Sequence, residues 1–413
     1  MDILLEQSGI KQEATIAITG SKSESNRALI LRALFPDLVI NNLSNADDTQ
    51  LLQSALNSKE EVIDIHHAGT AMRFLTAYFA NQDGREVILT GSERMQQRPI
   101  KVLVEALRHL GADITYVKKE GLPPLRIKGK KLTKSSVSLP ANVSSQYISA
   151  LLLIAPQLKN GLQLLLEERV TSLPYIHMSL SLLNYVGVKT YFEDDCIQVD
   201  NLNAKFYMAK TITIESDWSS ASYFYSLIAL SPVGTQIHLA SYKENSLQGD
   251  SALIEIYQEF GVETKFVENS MTLIKSKENS EYINMDLQNT PDLAQTVVVT
   301  CLGLGIGCDL SGLHTLKIKE TDRLQALKNE IMKFGGHVEI SEEALKLHPK
   351  AINWKAMHHD IAVETYNDHR MAMAFAPLIL KTSLMIKDAY VVSKSYPEFW
   401  GDLTKIGLNI SEI

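Results

Sequence analysis

The stretch Arg98 to Val117, RPIKVLVEALRHLGADITYV, reads as an amphipathic helix that closes on Gly111 and turns directly into a strand. Glycine after the last helical residue is the usual left-handed C-terminal cap. The same ending, a large residue, then glycine, then a strand-like run, recurs at Val186-Gly187, Phe260-Gly261, Phe334-Gly335 and Ile406-Gly407. The five glycines stand 76, 74, 74 and 72 residues apart, so the chain is a repeat. The period is too long for a thin solenoid, and each unit must hold several elements.

A second helix series interleaves with the first. It starts at Ser25 (SNRALIL), Thr70 (TAMRFL), Ser144 (SSQYISALLLI), Ser219 (SSASYFYSLIAL), Pro291 (PDLAQTVVV) and Asp368 (DHRMAMAF). These segments are apolar nearly all round and should be buried inside their domains, with the amphipathic, glycine-capped helices outside. Asn57 serves as a sixth cap, because Asn tolerates the left-handed conformation. Six units over 413 residues then make two domains of three units each. From a cap to the next inner helix takes 33, 32, 30 and 33 residues in the later units but 13 from Asn57 to Thr70. The first unit therefore lacks a segment long enough for a strand pair.

The composition, 45% hydrophobic and 21% charged, is that of an ordinary globular protein. A net charge of -8 gives no support to nucleic acid or an anionic membrane as partner. MDILLEQ has no basic region before an apolar run, and the longest apolar run, Met371 to Leu380, is far short of a membrane span. Three cysteines are too few for a disulfide scaffold and suggest a reducing compartment, so the expected location is the cytoplasm. The pairs His66-His67 and His358-His359 do not read as metal sites, since neighbouring side chains point apart and no Cys or His partner stands at ligand spacing.

The inner-helix starts also carry unusual polar residues. Gly20 to Leu31, GSKSESNRALIL, sets Lys22 and Arg27 among small hydroxyl residues at a helix mouth. Unpaired N–H groups and the positive end of the macrodipole disfavour added cations there unless an anion shares the site. Arg73, Ser144, Ser145, Gln146, Asp292, Asp368, His369 and Arg370 occupy comparable starts. Such helix starts suit the binding of anionic ligands.

Taken in order, GSKSESNRA, AGTAMR (68–73), LTGSERMQQRPI (89–100), VSSQY (143–147), SLPYI (172–176), SDWSSASYF (216–224), QGD (248–250), KIKETDRL (317–324) and YNDHRMAMAF (366–375) resemble the enolpyruvylshikimate phosphate synthase family. The resemblance implies an α/β (α+β) fold of two similar domains, each of three βαβαββ units around a pseudo-threefold axis, with the active site between them. It implies domains of 20–215 and of 1–19 plus 216–413, with hinges near 19–20 and 215–216. It also implies transfer of the enolpyruvyl group of phosphoenolpyruvate to the 5-hydroxyl of shikimate 3-phosphate by a monomer needing no cofactor or metal.

Carried over by motif, Lys22, Gly69, Arg98, Gln146, Arg323, Arg370 and Lys394 would hold phosphoenolpyruvate. Lys22, Ser23, Arg27, Ser144, Ser145, Gln146, Ser172, Tyr175, Asp292 and Lys319 would hold shikimate 3-phosphate. The resemblance assigns Asp292 as proton acceptor, Glu320 as proton donor and Lys22 as a further catalytic group. The family usually reads Asn-Ala-Gly-Thr-Ala-Met-Arg-Pro where this chain has His67 and Phe74 at the ends, and Thr315 stands where some members have Asn. Those departures, with the short first unit, leave a second reading: an anion-binding relative without turnover. Met95-Gln96-Gln97 before Arg98 argues against the sister family that uses UDP-N-acetylglucosamine, which carries a cysteine there.

Overall fold

A computed structural model of the protein describes every residue except 11–13, 143, 169, 202–209, 279 and 357–360. Val143 of VSSQY and the pair His358-His359 thus lie outside the described residues. The chain divides into two compact units, Gly20–Ile214 and Met1–Thr19 with Glu215–Ile413. Each has its own hydrophobic core.

The first strands, β1 (Ile3–Glu6) and β2 (Ala14–Ile16), belong to the second unit. Within Gly20–Ile214 the order is α1 (Lys22–Leu34), β3 (Val39–Asn41), α2 (Asp47–Asn57), β4 (Val62–Asp64), α3 (Gly69–Ala80), β5 (Glu86–Thr90), α4 (Lys101–Leu110), β6 (Asp113–Tyr116) and β7 (Leu125–Lys128). There follow β8 (Ser136–Pro140), α5 (Ser145–Ile154), β9 (Leu162–Glu167), α6 (Leu173–Tyr185), β10 (Thr190–Glu193), β11 (Cys196–Val199) and β12 (Thr211–Thr213). Two sheets have four strands: β4 runs parallel to β5, β8 parallel to β9, and each pair is extended by an antiparallel hairpin, β6–β7 or β10–β11. The third sheet, among the described residues, is only the parallel pair β12 and β3. A hairpin follows α4 and α6, but only β4 stands between α2 and α3, which is the deficit seen in the sequence.

In the second unit the order is α7 (Trp218–Leu230), β13 (Gln236–Ala240), α8 (Leu253–Gln258), β14 (Val262–Val267), β15 (Ser270–Lys275), β16 (Tyr282–Asp286), α9 (Ala294–Leu304) and β17 (Gly307–Ser311). It continues with α10 (Arg323–Lys333), β18 (His337–Ile340), β19 (Leu345–His348), β20 (Ala362–Val363), α11 (His369–Phe375), β21 (Leu384–Ile386), α12 (Phe399–Lys405) and β22 (Asn409–Glu412). All three sheets have four strands: β14-β15-β13-β2, β16-β17-β19-β18 and β20-β21-β1-β22. In the last one β1 and β22, from opposite ends of the chain, take the place of the hairpin.

Burial follows the sequence pattern. Nine of the ten residues of α5 are buried, as its apolar surface requires, whereas α4 buries Leu103, Val104, Ala106, Leu107 and Leu110 and turns Lys101, Glu105, Arg108 and His109 outward. The repeat glycines 111, 187, 261, 335 and 407 all have positive φ, from +73° to +112°. Asn57 differs. It is the last residue of α2, its side-chain amide donates back to the Gln53 carbonyl, and the chain leaves the helix through an extended Ser58. The domain boundary also moves by one residue. Glu215 belongs to the second unit, where its carboxylate accepts from Trp218 Nε1 at 2.7 Å, Lys243 N at 2.8 Å and the Ser246 hydroxyl. Among the described residues no helix is long and apolar enough to cross a membrane.

Candidate active site

In Gly20–Ile214 the helix of SNRALIL begins earlier than its apolar pattern, with Ser21 as N-cap accepting from Glu24 N, so Lys22 and Ser23 lie in the first turn of α1. Lys22 Nζ is 3.6 Å from Asp48. Arg27 is buried and ties three helices together. Its Nε donates to Ser179 Oγ of α6 at 2.8 Å, one terminal nitrogen to Ser149 Oγ of α5 at 2.9 Å and the Tyr175 carbonyl at 3.2 Å, and the other to the Ser23 carbonyl at 2.8 Å. Burial lowers its pKa to about 10, which still leaves it charged at neutral pH. Phe74 and Tyr175 set ring faces 5.5 and 5.8 Å from the guanidinium carbon. The apolar residue that replaces the family's Pro therefore supports Arg27 by a cation–π contact.

Gly69 opens α3 beside Arg98. A Cβ there would lie 2.8 Å from an Arg98 terminal nitrogen, so the missing side chain is what admits the guanidinium. Arg73 donates to the Gly69 carbonyl at 3.1 Å and to the Pro99 carbonyl at 3.2 Å, and the Tyr147 hydroxyl donates to the same Pro99 carbonyl at 2.6 Å. Both ends of the Gly69–Arg98 contact are thereby fixed to α3 and α5. His67 Nδ1 and Ser92 Oγ share a hydrogen bond of 2.8 Å. Ser144 caps α5 by accepting from Gln146 N, Ser145 is buried, and Gln146 Nε2 donates to Thr70 Oγ1 at 3.2 Å. Ser172, at the N-terminus of α6, holds a left-handed conformation (φ +55°) with no side-chain capping bond, a strained state of the kind that collects at functional sites.

The second unit holds a denser cluster. Arg323, 2% exposed at the start of α10, donates from Nε to Asp368 at 2.6 Å, from one terminal nitrogen to Asp292 at 2.8 Å, and from the other to Glu320 at 3.0 Å and Asp368 at 3.3 Å. Arg370 donates to Asp292 Oδ2 at 3.1 Å, to its carbonyl at 3.2 Å and to Ser219 Oγ at 3.1 Å. Lys319 Nζ lies 3.4 Å from Asp292, and Lys394 Nζ donates to the Asn367 carbonyl at 2.6 Å. Asp368 also caps α11 by accepting from Arg370 N at 2.9 Å.

Burial opposes ionisation of Asp292, but Arg370, Lys319 and Arg323 together outweigh it and hold the carboxyl well below the ordinary value. Asp250 moves the other way: burial, against the pull of Arg370, raises it to about 6, and the Ser219 hydroxyl donates to it. Burial disfavours the Arg323 cation, and Asp368, Glu320 and Asp292 overcome this and raise its pKa.

The sequence-predicted residues thus fall into two groups. Lys22, Ser23, Arg27, Gly69, Arg98, Ser144, Ser145, Gln146, Ser172 and Tyr175 lie in one unit, and Asp292, Lys319, Glu320, Arg323, Arg370 and Lys394 in the other. Within the second, Arg323 and Asp292 draw Lys319, Glu320 and Arg370 together. Sequence reasoning placed Ser219 and Asp368 at helix starts and quoted QGD, but gave none of Ser219, Asp368 and Asp250 a role toward substrate; the three complete this network. The Thr315 hydroxyl is buried with no hydrogen-bond partner among the described residues.

A cluster of this composition suits anionic ligands and proton transfer, and comparison with known proteins fixes the lineage. The family model described as EPSP synthase (3-phosphoshikimate 1-carboxyvinyltransferase) matches residues 51–403. This chain belongs to the EPSP synthase family. A 3-phosphoshikimate 1-carboxyvinyltransferase of Bacteroides fragilis is 48% identical over 405 residues, covering 96% of each chain. The enzyme of that name from Haemophilus influenzae is 33% identical over 428 residues, covering 96% of this chain and 97% of its own. A solved EPSP synthase of Acinetobacter baumannii shares the fold at a TM-score of 0.80 and 19% identity, covering 99% of both chains.

Proposed function

We propose that this member of the EPSP synthase family transfers the enolpyruvyl group of phosphoenolpyruvate to the 5-hydroxyl of shikimate 3-phosphate and releases phosphate. Beside family membership, the observation that carries the reading is the guanidinium of Arg323, which holds two carboxylates of proposed opposite role, Asp292 and Glu320, at 2.8 and 3.0 Å. The reaction needs both. The nucleophilic hydroxyl must lose a proton, and the methylene carbon of phosphoenolpyruvate must gain one to give the tetrahedral ketal. Asp292, kept ionised by its cations, has the open lone pair an acceptor needs, and Glu320, the donor, enters the step protonated. In the second step the methyl carbon gives a proton back to the Glu320 carboxylate, the C–H electron pair re-forms the double bond, and the C–O bond to phosphate breaks with its electrons leaving on phosphate.

Phosphoenolpyruvate is held by Lys22, Gly69, Arg98, Gln146, Arg323, Arg370 and Lys394, with Lys22 also acting in catalysis. Planar guanidinium groups suit its carboxylate and phosphate because they offer two parallel bonds. Shikimate 3-phosphate is held by Lys22, Ser23, Arg27, Ser144, Ser145, Gln146, Ser172, Tyr175, Asp292 and Lys319. Arg27 contributes most by fixing α1, α5 and α6, since one N–H of its guanidinium remains for substrate once its protein bonds are made. The protein acts as a cytoplasmic monomer; its cysteines are free and two of the three are buried, which suits a reducing compartment.

Phosphate release from phosphoenolpyruvate, followed with and without shikimate 3-phosphate, tests the reading. Release should require shikimate 3-phosphate and fall about 10²–10⁴-fold in Glu320→Gln. Calorimetric binding of shikimate 3-phosphate without any release would instead make the chain an anion-binding relative.

A further inference from the structure

The β18–β19 hairpin of the second unit carries a side-chain cluster that the proposed reaction does not use. Among the described residues, one group of ligating side chains brings three donor atoms within 4.8 Å of one another: His337, Glu339 and His348. The strand register creates it. His337 faces His348 directly across the antiparallel ladder, and Glu339, two positions along β18, projects from the same face. The imidazole rings lie 4.6 Å apart, and His348 Nε2 is 2.7 Å from Glu339 Oε1. His337 and Glu339 are exposed and His348 is partly so, which leaves these side chains room to rotate.

We propose that this face of the hairpin binds one divalent transition-metal ion, such as Zn²⁺, Ni²⁺ or Cu²⁺, through His337, Glu339 and His348. Two imidazoles and one carboxylate favour these ions over Mg²⁺ and Ca²⁺, which take all-oxygen sets. Metal–ligand bonds of about 2.0–2.2 Å place neighbouring ligand atoms about 3–3.5 Å apart, so the widest separation in the cluster must close by up to about 1–2 Å while the His348–Glu339 pair opens slightly to admit the ion. Rotation of exposed side chains on a paired backbone accomplishes this without moving the strands. Lys346, opposite Glu339 in the ladder, is the cation that works against the site, and its flexible stem lets the ammonium turn to solvent. The ion would join β18 to β19 and keep its remaining positions for water, which makes the site a binding and stabilising one.

Calorimetric titration of the intact chain with ZnCl₂ and with NiCl₂, at neutral pH in a non-chelating buffer, decides the matter. The expected result is one ion per chain, weakened at least about tenfold in His337→Ala and in His348→Ala and unchanged in His109→Ala. Excess Zn²⁺ should raise the Tm of the wild type and leave the double variant, His337→Ala with His348→Ala, unmoved. Both substitutions are at accessible positions, and unfolding of the metal-free variants checks that the fold is kept. Copper added to the wild-type chain should show hyperfine coupling to two nitrogens, a readout that needs no variant. Absence of binding at millimolar metal, or undiminished binding to the double variant, would overturn the proposal and leave the cluster a hydrogen-bonded surface pair.

Discussion

Asp250 and Asp292 both feel the positive charge of Arg370, yet their surroundings drive them apart. Asp292 bonds directly to Arg370 and Arg323, whereas Asp250 is 2% exposed and its one hydrogen-bond partner among the described residues is the neutral Ser219 hydroxyl. The folded state therefore binds the Asp250 proton more tightly than the unfolded chain does, with a pKa of about 6 against 3.8. Stability from this group is fully present below 3.8 and is lost as pH rises through about 6. Asp250→Asn, which imitates the protonated form, should match the wild type in acid and exceed it by about 1–3 kcal/mol above that window, read from urea unfolding across pH. A gap that does not change with pH would show that Arg370 keeps this carboxylate ionised throughout. The motifs made the individual charges legible: KETDRL and NDHR name Arg323, Glu320, Asp368 and Arg370. That one guanidinium binds both segments was not legible, because its bond to Asp368 spans 45 residues and depends on how α10 packs near α11.

At the scale of elements, the glycine caps were the most legible feature, because a positive φ is a local demand that one residue type meets. The cap at Asn57 misled for a related reason: Asn is permitted in that conformation but not committed to it, and here its amide bonds back to Gln53 instead. The missing hairpin was legible as a spacing, whereas its consequence, a two-stranded sheet of β12 and β3, required knowing which strands pair. The metal-binding face was hidden for the same reason, since His348 and Glu339 are nine positions apart and meet only through the ladder register. The caps themselves differ in what surrounds them. At Gly335 (φ +79°) an added Cβ would meet only Lys350 Nζ at 3.9 Å, so Gly335→Ala should cost backbone strain alone, about 1–2 kcal/mol. At Gly261 (φ +73°) the Cβ would stand 2.1 Å from the Lys277 carbonyl oxygen, and displacing that backbone should add roughly 1–3 kcal/mol more. Chemical denaturation of the two variants tests the ranking, and equal losses would mean that the 276–278 turn yields freely.

At the scale of the whole molecule, the second unit is built from both ends of the chain. β1 sits between β21 and β22, and β2 edges the sheet of β13, so the first nineteen residues are structural members of a unit that otherwise begins at Glu215. Ile3, Leu5, Ile16 and Ile18 are nearly fully buried there. Removing side chains of this size costs roughly 2–5 kcal/mol each, and the four together match or exceed the roughly 5–15 kcal/mol that holds an ordinary domain. A fragment of residues 215–413 should therefore fail to fold cooperatively. The register offers a remedy: Ile3 pairs with Glu412, and the Ile413 amide donates to the Asp2 carbonyl at 3.1 Å, so the two termini are neighbours. Joining residue 413 to residue 1 through a short flexible linker restores β1 to its place with little loop entropy to overcome. The permuted unit, 215–413 followed by 1–19, should give a single cooperative thermal transition where 215–413 gives none. Equal behaviour of the two fragments would show that β1 and β2 decorate a core that α7, α9 and α11 already hold, and that the N-terminal segment is there for another reason.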